Sequence, residues 1–170
     1  QSLKNLGRLR DGDKVGFSAL TWSTNLMPII QMGFEPIPID CDFKTLNVMS
    51  YNLIKTLKKD EIKAFFITNA LGFSGDLDKI KNICETNGTL LLEDNCEALG
   101  TELSGRKTGS FGFAASFSFF IAHHMSTIEG GMVCTDDEEL AEMLKIVRAN
   151  GWDRNLKAVQ QHKWRKKFDI

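Results

Sequence analysis

The sequence predicts an α/β fold: a mostly parallel sheet with helices on both faces. Three observations predict it. Short apolar runs alternate with longer amphipathic ones along the 170 residues. The short runs are continuously apolar rather than alternating, as strands buried on both faces are. Polar residues with chemical capacity stand at the carboxyl ends of those runs, where ligands bind in sheets of this kind.

The elements follow in order. KVGFSA (14–19) is a strand, and TNLMPIIQMG (24–33) is a helix ended by Gly33. Pro28 is expected in the first turn of that helix, where a missing N–H costs little. EPIPID (35–40) is a second strand, which its two prolines assign to a sheet edge or a strand end. Residues 51–59 form a short helix and AFFIT (64–68) a third strand. Asp76 caps a helix running to about Thr86, closed by Asn87-Gly88. TLLLED (89–94) is a fourth strand, apolar until its carboxyl end. Residues 111–120 and GGMVCT (130–135) supply further strands, and Asp136 begins a long helix through Ala149. The basic run HKWRKKFD (162–169) reads as a solvated terminal segment.

Composition narrows the partners. The chain is 42% hydrophobic, enough for one domain with a core. Its 21 basic and 22 acidic residues nearly cancel, so neither nucleic acid nor an anionic membrane is an expected partner. No apolar run approaches the roughly 20 residues that span a bilayer, and no signal peptide opens the chain. Cys41, Cys84, Cys96 and Cys134 form no CxxC pair and lie in or beside apolar stretches, which suits a reducing cytoplasm. The chain starts without Met and ends in a basic, aromatic stretch, so it is expected to be part of a longer polypeptide.

Several residues carry candidate chemistry. Asp94, after three leucines and a glutamate, is costly there without a cationic partner, or else caps the segment that follows. Ser118 binds a phosphate or caps its turn. Trp22, after the first strand, stacks on a planar ligand or is an ordinary core or surface tryptophan. His123-His124 suggests a metal only weakly. One further histidine (His162) exists, and Cys96 and Cys134 would have to be recruited. No GxSxG elbow supports a serine–histidine hydrolase.

An ordered series of motifs spans nearly the whole chain: RLRDGDKVGFSALTW, DCDFKTLNV, LLEDNCEALGTELSGRKTGSFG and SFSFFIAHHMSTIEGGMVCTDDEELAEMLKIVRANGWDR. With them the chain resembles the DegT-type sugar aminotransferase family of pyridoxal-phosphate enzymes. The resemblance implies part of an aspartate-aminotransferase-like (fold type I) large domain over 1–170. An N-terminal phosphate loop and a C-terminal small domain would lie outside these residues. It implies that Asp94 pairs with the protonated pyridine nitrogen and keeps the ring an electron sink. It further implies that Trp22 stacks on the ring face, that Ser118 holds the phosphate, and that Glu97 stands near the cofactor, where the family usually has Gln or His.

One position departs from the pattern. The family's Schiff-base lysine lies six residues before the Glu of its EGG motif, and six residues before Glu129 is His123. Imidazole has no primary amine, yet it moves protons, with an unperturbed pKa of about 6.5. The sequence around HHMST is similar to a branch of nucleotide-sugar 3-dehydratases. There the aminated cofactor, pyridoxamine 5'-phosphate, meets a 4-keto sugar, and histidine moves a proton while the C-3 hydroxyl leaves. One sub-branch carries an iron–sulfur cluster held partly by a Cys-x-Cys pair. The corresponding NGWDRNLKAVQQHKW has no cysteine, so no cluster is expected. The other sub-branch acts on a GDP-linked 4-keto-6-deoxymannose and regenerates its cofactor from glutamate.

The resemblance thus implies a cytoplasmic, homodimeric lyase of deoxysugar and lipopolysaccharide O-antigen biosynthesis. Its partners would be a nucleotide sugar and glutamate, its cofactor pyridoxal 5'-phosphate, and it would hold no metal. Two other readings stand beside it: an aminotransferase homologue that lost its lysine and serves as a binding protein, and a non-enzymatic α/β binding module.

Overall fold

The computed structural model describes residues 1–169. Eight strands occur among them: β1 (Lys14–Ser18), β2 (Glu35–Ile39), β3 (Ala64–Thr68), β4 (Leu90–Asp94), β5 (Glu102–Leu103), β6 (Arg106–Lys107), β7 (Ala114–Ser118) and β8 (Gly131–Cys134). The helices are α1 (Ser2–Asn5), α2 (Ser23–Gln31), α3 (Ser50–Leu57), α4 (Leu77–Asn87), α5 (Glu138–Arg148) and α6 (Ala158–Phe168). They divide between two compact units. The larger runs from Arg10 to Cys134, and the smaller joins Gln1–Leu9 to the residues from Thr135 onward.

The larger unit is built on a six-stranded sheet in the order β2-β1-β3-β4-β7-β8. All neighbouring pairs are parallel except β7 with β8, which are antiparallel. From β1 the chain moves outward to β2, then crosses back to β3 and continues to β4. With right-handed crossovers those opposite directions put α2 on one face and α3 and α4 on the other. The direction reverses between β1 and β3, so the carboxyl ends of these strands flank the crevice where ligands enter such sheets.

The prolines of β2 behave as expected, because β2 is an edge strand. Glu35 N donates to Asp13 O and Ala19 N donates to Ile39 O, so the odd-numbered residues face β1. Pro36 and Pro38 turn their missing N–H groups away from the ladder. Pro28 differs from expectation. The helix begins at Ser23, capped by the extended backbone of Trp22, so Pro28 falls at its sixth position. One intrahelical bond to Thr24 O is thereby lost.

Asp76 also differs. It stands at the cap position of α4, but its side chain accepts no backbone N–H of that helix and meets it only through an ion pair with Lys79 at 3.5 Å. Its carboxylate instead accepts from Ser50 N (2.7 Å) and Ser50 Oγ (2.6 Å), tying the start of α3 to that of α4. Nearby, a Cβ on Gly75 would lie 2.2 Å from Val48 O, which explains the glycine. Gly88 ends α4 in the left-handed conformation, φ +65°, as its sequence predicts.

The core of this unit gathers Ile39, Leu53, Ile62, Phe65, Ile67, Leu77, Ile80 and Leu91, each contributing about 1.5–3 kcal/mol by burial. Of the cysteines only Cys84 is fully buried; Cys41, Cys96 and Cys134 are half-buried, and all four are free thiols.

In the smaller unit Asp137, not Asp136, caps α5, accepting from Leu140 N at 2.7 Å. The basic terminal run is a correction. It folds as α6, because Trp164 is 2% exposed against Met143 and Leu156 and donates its indole N–H to Glu142 Oε2 at 2.6 Å. Its charged neighbours remain at the surface, where Arg165 pairs with Asp153. No helix among the described residues is long and apolar enough to cross a membrane.

Candidate active site

The candidate residues of the larger unit lie at the carboxyl ends of β1, β3, β4 and β7 or in the loops just beyond them. β4 ends in two carboxylates, and strand alternation sends them to opposite faces. Glu93, wholly buried, accepts from Gly109 N (2.7 Å), Phe111 N (2.8 Å) and Gly112 N (2.6 Å). It is a clamp on the loop that leads into β7. Sequence reasoning passed over it, although a second carboxylate in an apolar strand was its signal.

Asp94 is 7% exposed. Its Oδ2 accepts from Asn25 Nδ2 at 2.8 Å and its Oδ1 from Cys96 N at 3.0 Å. The capping alternative is thus partly realised, on a turn rather than a helix. Among the described residues no cation pairs with Asp94, and the Asn25 amide and Cys96 N–H that donate to it are neutral. A buried carboxylate held only by neutral donors is suited to a ligand that brings the positive charge. The Cys96 thiol is pushed up to about 12, first by burial and then by its hydrogen bond to Asp94 and that group's negative charge.

Asn25 and Thr68 were not anticipated. Asn25 sits in the first turn of α2, three residues after Trp22, and is 3% exposed. Its Nδ2 also donates to Thr68 Oγ1 at 2.7 Å, and Thr68 Oγ1 lies 2.6 Å from Thr21 Oγ1. The sequence signal was slight: a polar residue four before Ile29, on the buried stripe of the helix.

Trp22 is 74% exposed, so it is no core residue and presents its ring to solvent at the end of β1. Ser118 ends β7 half-buried, and its Oγ accepts from Phe120 N at 3.2 Å. The turn-capping alternative is therefore present, while the hydroxyl hydrogen stays free of that bond.

His123 follows on the loop that joins β7 to β8. That loop is closed by Phe119 N to Gly130 O (2.9 Å), Thr127 N to Phe119 O (2.8 Å) and Ile121 N to Ile128 O (3.1 Å). His123 N donates to Phe120 O at 2.9 Å, and its half-buried ring meets Phe120 edge-on with centroids 6.3 Å apart. His124 is exposed. The glycine pair has a local cause, since a Cβ on Gly130 would fall 2.3 Å from Thr127 Oγ1 and one on Gly131 3.1 Å from Phe117 O.

Glu97 lies in the turn after β4 and is exposed. Its Oε2 accepts at 2.8 Å from the N–H of Leu71, a residue held at φ +56°, so it supports the turn after β3. Among the described residues no three His, Cys, Asp or Glu side chains gather as a metal site.

The set comprises an exposed flat aromatic, a buried carboxylate lacking a cation, a hydroxyl at a strand end and an imidazole on the next loop. It fits a planar ring with a protonated nitrogen and an anionic substituent, as pyridoxal phosphate has.

Comparison with known proteins agrees with the fold and these motifs. The GDP-4-keto-6-deoxy-D-mannose 3-dehydratase of Yersinia pseudotuberculosis is 42% identical over 149 residues, covering 88% of this chain and 38% of the relative. A crystal structure of GDP-4-keto-6-deoxymannose-3-dehydratase with a trapped PLP-glutamate geminal diamine superposes with a TM-score of 0.84 at 39% identity. That match covers 88% of this chain and 39% of the other. A histidine-to-asparagine mutant of such an enzyme with bound GDP-perosamine gives 0.83 at 38% identity, again over 88% and 39%. The chain thus spans under two fifths of the length of these relatives. The DegT/DnrJ/EryC1/StrS aminotransferase family matches residues 2–168, and the chain belongs to that family.

Proposed function

We propose that the protein to which these residues belong is a pyridoxal-phosphate-dependent nucleotide-sugar 3-dehydratase, with His123 as the base in place of the family's lysine. The observation that carries the reading is an imidazole on the β7–β8 loop, six residues before Glu129, where an amine is expected. Sequence identity of 42% over 149 residues to a GDP-sugar 3-dehydratase supports it. So does the solved relative that traps glutamate on its cofactor, which favours glutamate as amino donor here. The substrate proposed is a GDP-linked 4-keto-6-deoxy sugar.

The cofactor, when bound, supplies the electron sink for loss of the C-3 hydroxyl. Asp94 holds a negative charge against the ring nitrogen, and Trp22 offers its exposed face to the ring. Ser118 donates its hydroxyl hydrogen to the phosphate. His123 takes up and returns a proton, and having no amine it forms no covalent link that would compete with the aminated cofactor. Glu97 acts at one remove, through the Leu71 turn.

The balance is simple. The sugar loses one oxygen, glutamate becomes 2-oxoglutarate, and ammonia is released. We place residues 1–170 in a cofactor-binding large domain, with a phosphate loop before them and a small domain after. Exposed Ile121, Ile128, Met132 and Val133, on β8 and the loop before it, support burial against further chain or a second subunit of a cytoplasmic homodimer.

The test uses the chain carried to the length of its relatives, with pyridoxamine phosphate, glutamate and GDP-4-keto-6-deoxymannose. A sugar product lighter by one oxygen, with ammonia released in equal amount, is expected. Replacing His123 by Ala should reduce turnover by about a hundredfold or more. A 4-amino sugar as the main product would overturn the reading.

A further inference from the structure

Asp94 ends a relay of neutral groups. Thr21 Oγ1 lies 2.6 Å from Thr68 Oγ1, which accepts from Asn25 Nδ2 at 2.7 Å. Asn25 Nδ2 in turn donates to Asp94 Oδ2 at 2.8 Å. Both hydrogens of the Asn25 amide are therefore used, one on the carboxylate and one on the threonine. This fixes which way the amide points, because a carboxylate only accepts and a flipped amide would set its carbonyl oxygen against it. Asn25 and Asp94 are 3% and 7% exposed, so water cannot substitute freely. The members come from three places, the loop after β1, the end of β3 and the first turn of α2, and they converge on the end of β4.

We propose that Asn25, itself held by Thr68, is a positioning residue that sets the orientation of the Asp94 carboxylate toward the cofactor's ring nitrogen. This rests on the proposed cofactor. A neutral donor suits the task. A lysine or arginine at Asn25 would neutralise the carboxylate before the ring arrived. An acid there would set a second carboxyl against it in place of a donor. An apolar side chain would leave Asp94 Oδ2 without the amide donor and the carboxylate held on the Oδ1 side alone, by the Cys96 N–H. The amide fixes one oxygen and leaves the full charge available.

The test measures pyridoxal phosphate bound to the full-length protein, with ring-15N-labelled cofactor whose nitrogen shift reports protonation directly. In the wild type the ring nitrogen should stay protonated through pH 8. In Asn25→Leu it should lose that proton at lower pH, with affinity weakened roughly tenfold or more. Thr68→Val should move both readouts in the same direction, and Thr68→Ser, which keeps the hydroxyl, should restore them.

A residue that merely stabilised the fold would lower the melting temperature and leave the nitrogen shift unchanged. Wild-type shift and affinity in Asn25→Leu would overturn the inference while leaving the cofactor assignment intact. Should Asn25→Leu fail to fold, identical Val and Ser variants of Thr68 would overturn it equally. If the wild type binds no pyridoxal phosphate, the proposed function fails and the inference with it.

Discussion

Two adjacent carboxylates at the end of β4 do unlike things because alternation points them to opposite faces. Glu93 is consumed by three backbone N–H groups, while Asp94 meets one side-chain amide and one backbone N–H and has no cation beside it among the described residues. The Asp94 charge is felt next door. Burial and Asp94 together hold the Cys96 thiol up to about 12, so little thiolate exists near neutrality. Cys96 should accordingly react with iodoacetamide at pH 8 about tenfold or more slowly than a free thiol, as read by peptide mass mapping. Asp94→Asn removes both an acceptor and a negative charge, so the thiol pKa should fall and alkylation quicken. An unchanged rate would mean that Asp94 does not reach the thiol. Asp94 was legible in the sequence because a charged residue closing an apolar run is conspicuous. Asn25 was not, since a single asparagine in a helix is uninformative until the strand it touches is known.

At the scale of elements, apolar runs and turn residues located most strands and helices to within a few residues. Where the reading missed, a tertiary contact had prevailed over a local rule. Asp76 turns from the backbone of its own helix to hold Ser50, and Pro28 is carried into the second turn because α2 starts on Trp22. The basic run at the end becomes α6 because one tryptophan finds a core. The two-residue strands β5 and β6 carry too little periodicity to be read at all. The loop from Gly109 to Gly112 gives a test at this scale. It is ordered by one buried carboxylate, so Glu93→Ala strands three N–H groups and should cost about 3 kcal/mol in denaturant unfolding. Glu93→Gln keeps one acceptor and should cost less. A neutral Glu93→Ala would show that the loop finds other partners.

For the whole molecule, the sheet order determines where chemistry can occur. The reversal between β1 and β3 opens a crevice at their carboxyl ends, and the Thr21, Asn25, Thr68 and Asp94 side chains meet at that level. The fold class was readable from continuous apolar strands. The position of His123 was readable only by counting back from the EGG motif, since nothing in an exposed, irregular loop announces a function. The residues span under two fifths of the length of the relatives they match.

The central claim is that His123 stands where an amine would bond to the cofactor. Borohydride treatment of the full-length protein loaded with pyridoxal phosphate, followed by intact mass, tests it most directly. The wild type should gain no covalently attached cofactor, and His123→Lys should gain one equivalent. Covalent capture by the wild type, or none by a folded His123→Lys that binds the cofactor, would contradict the account.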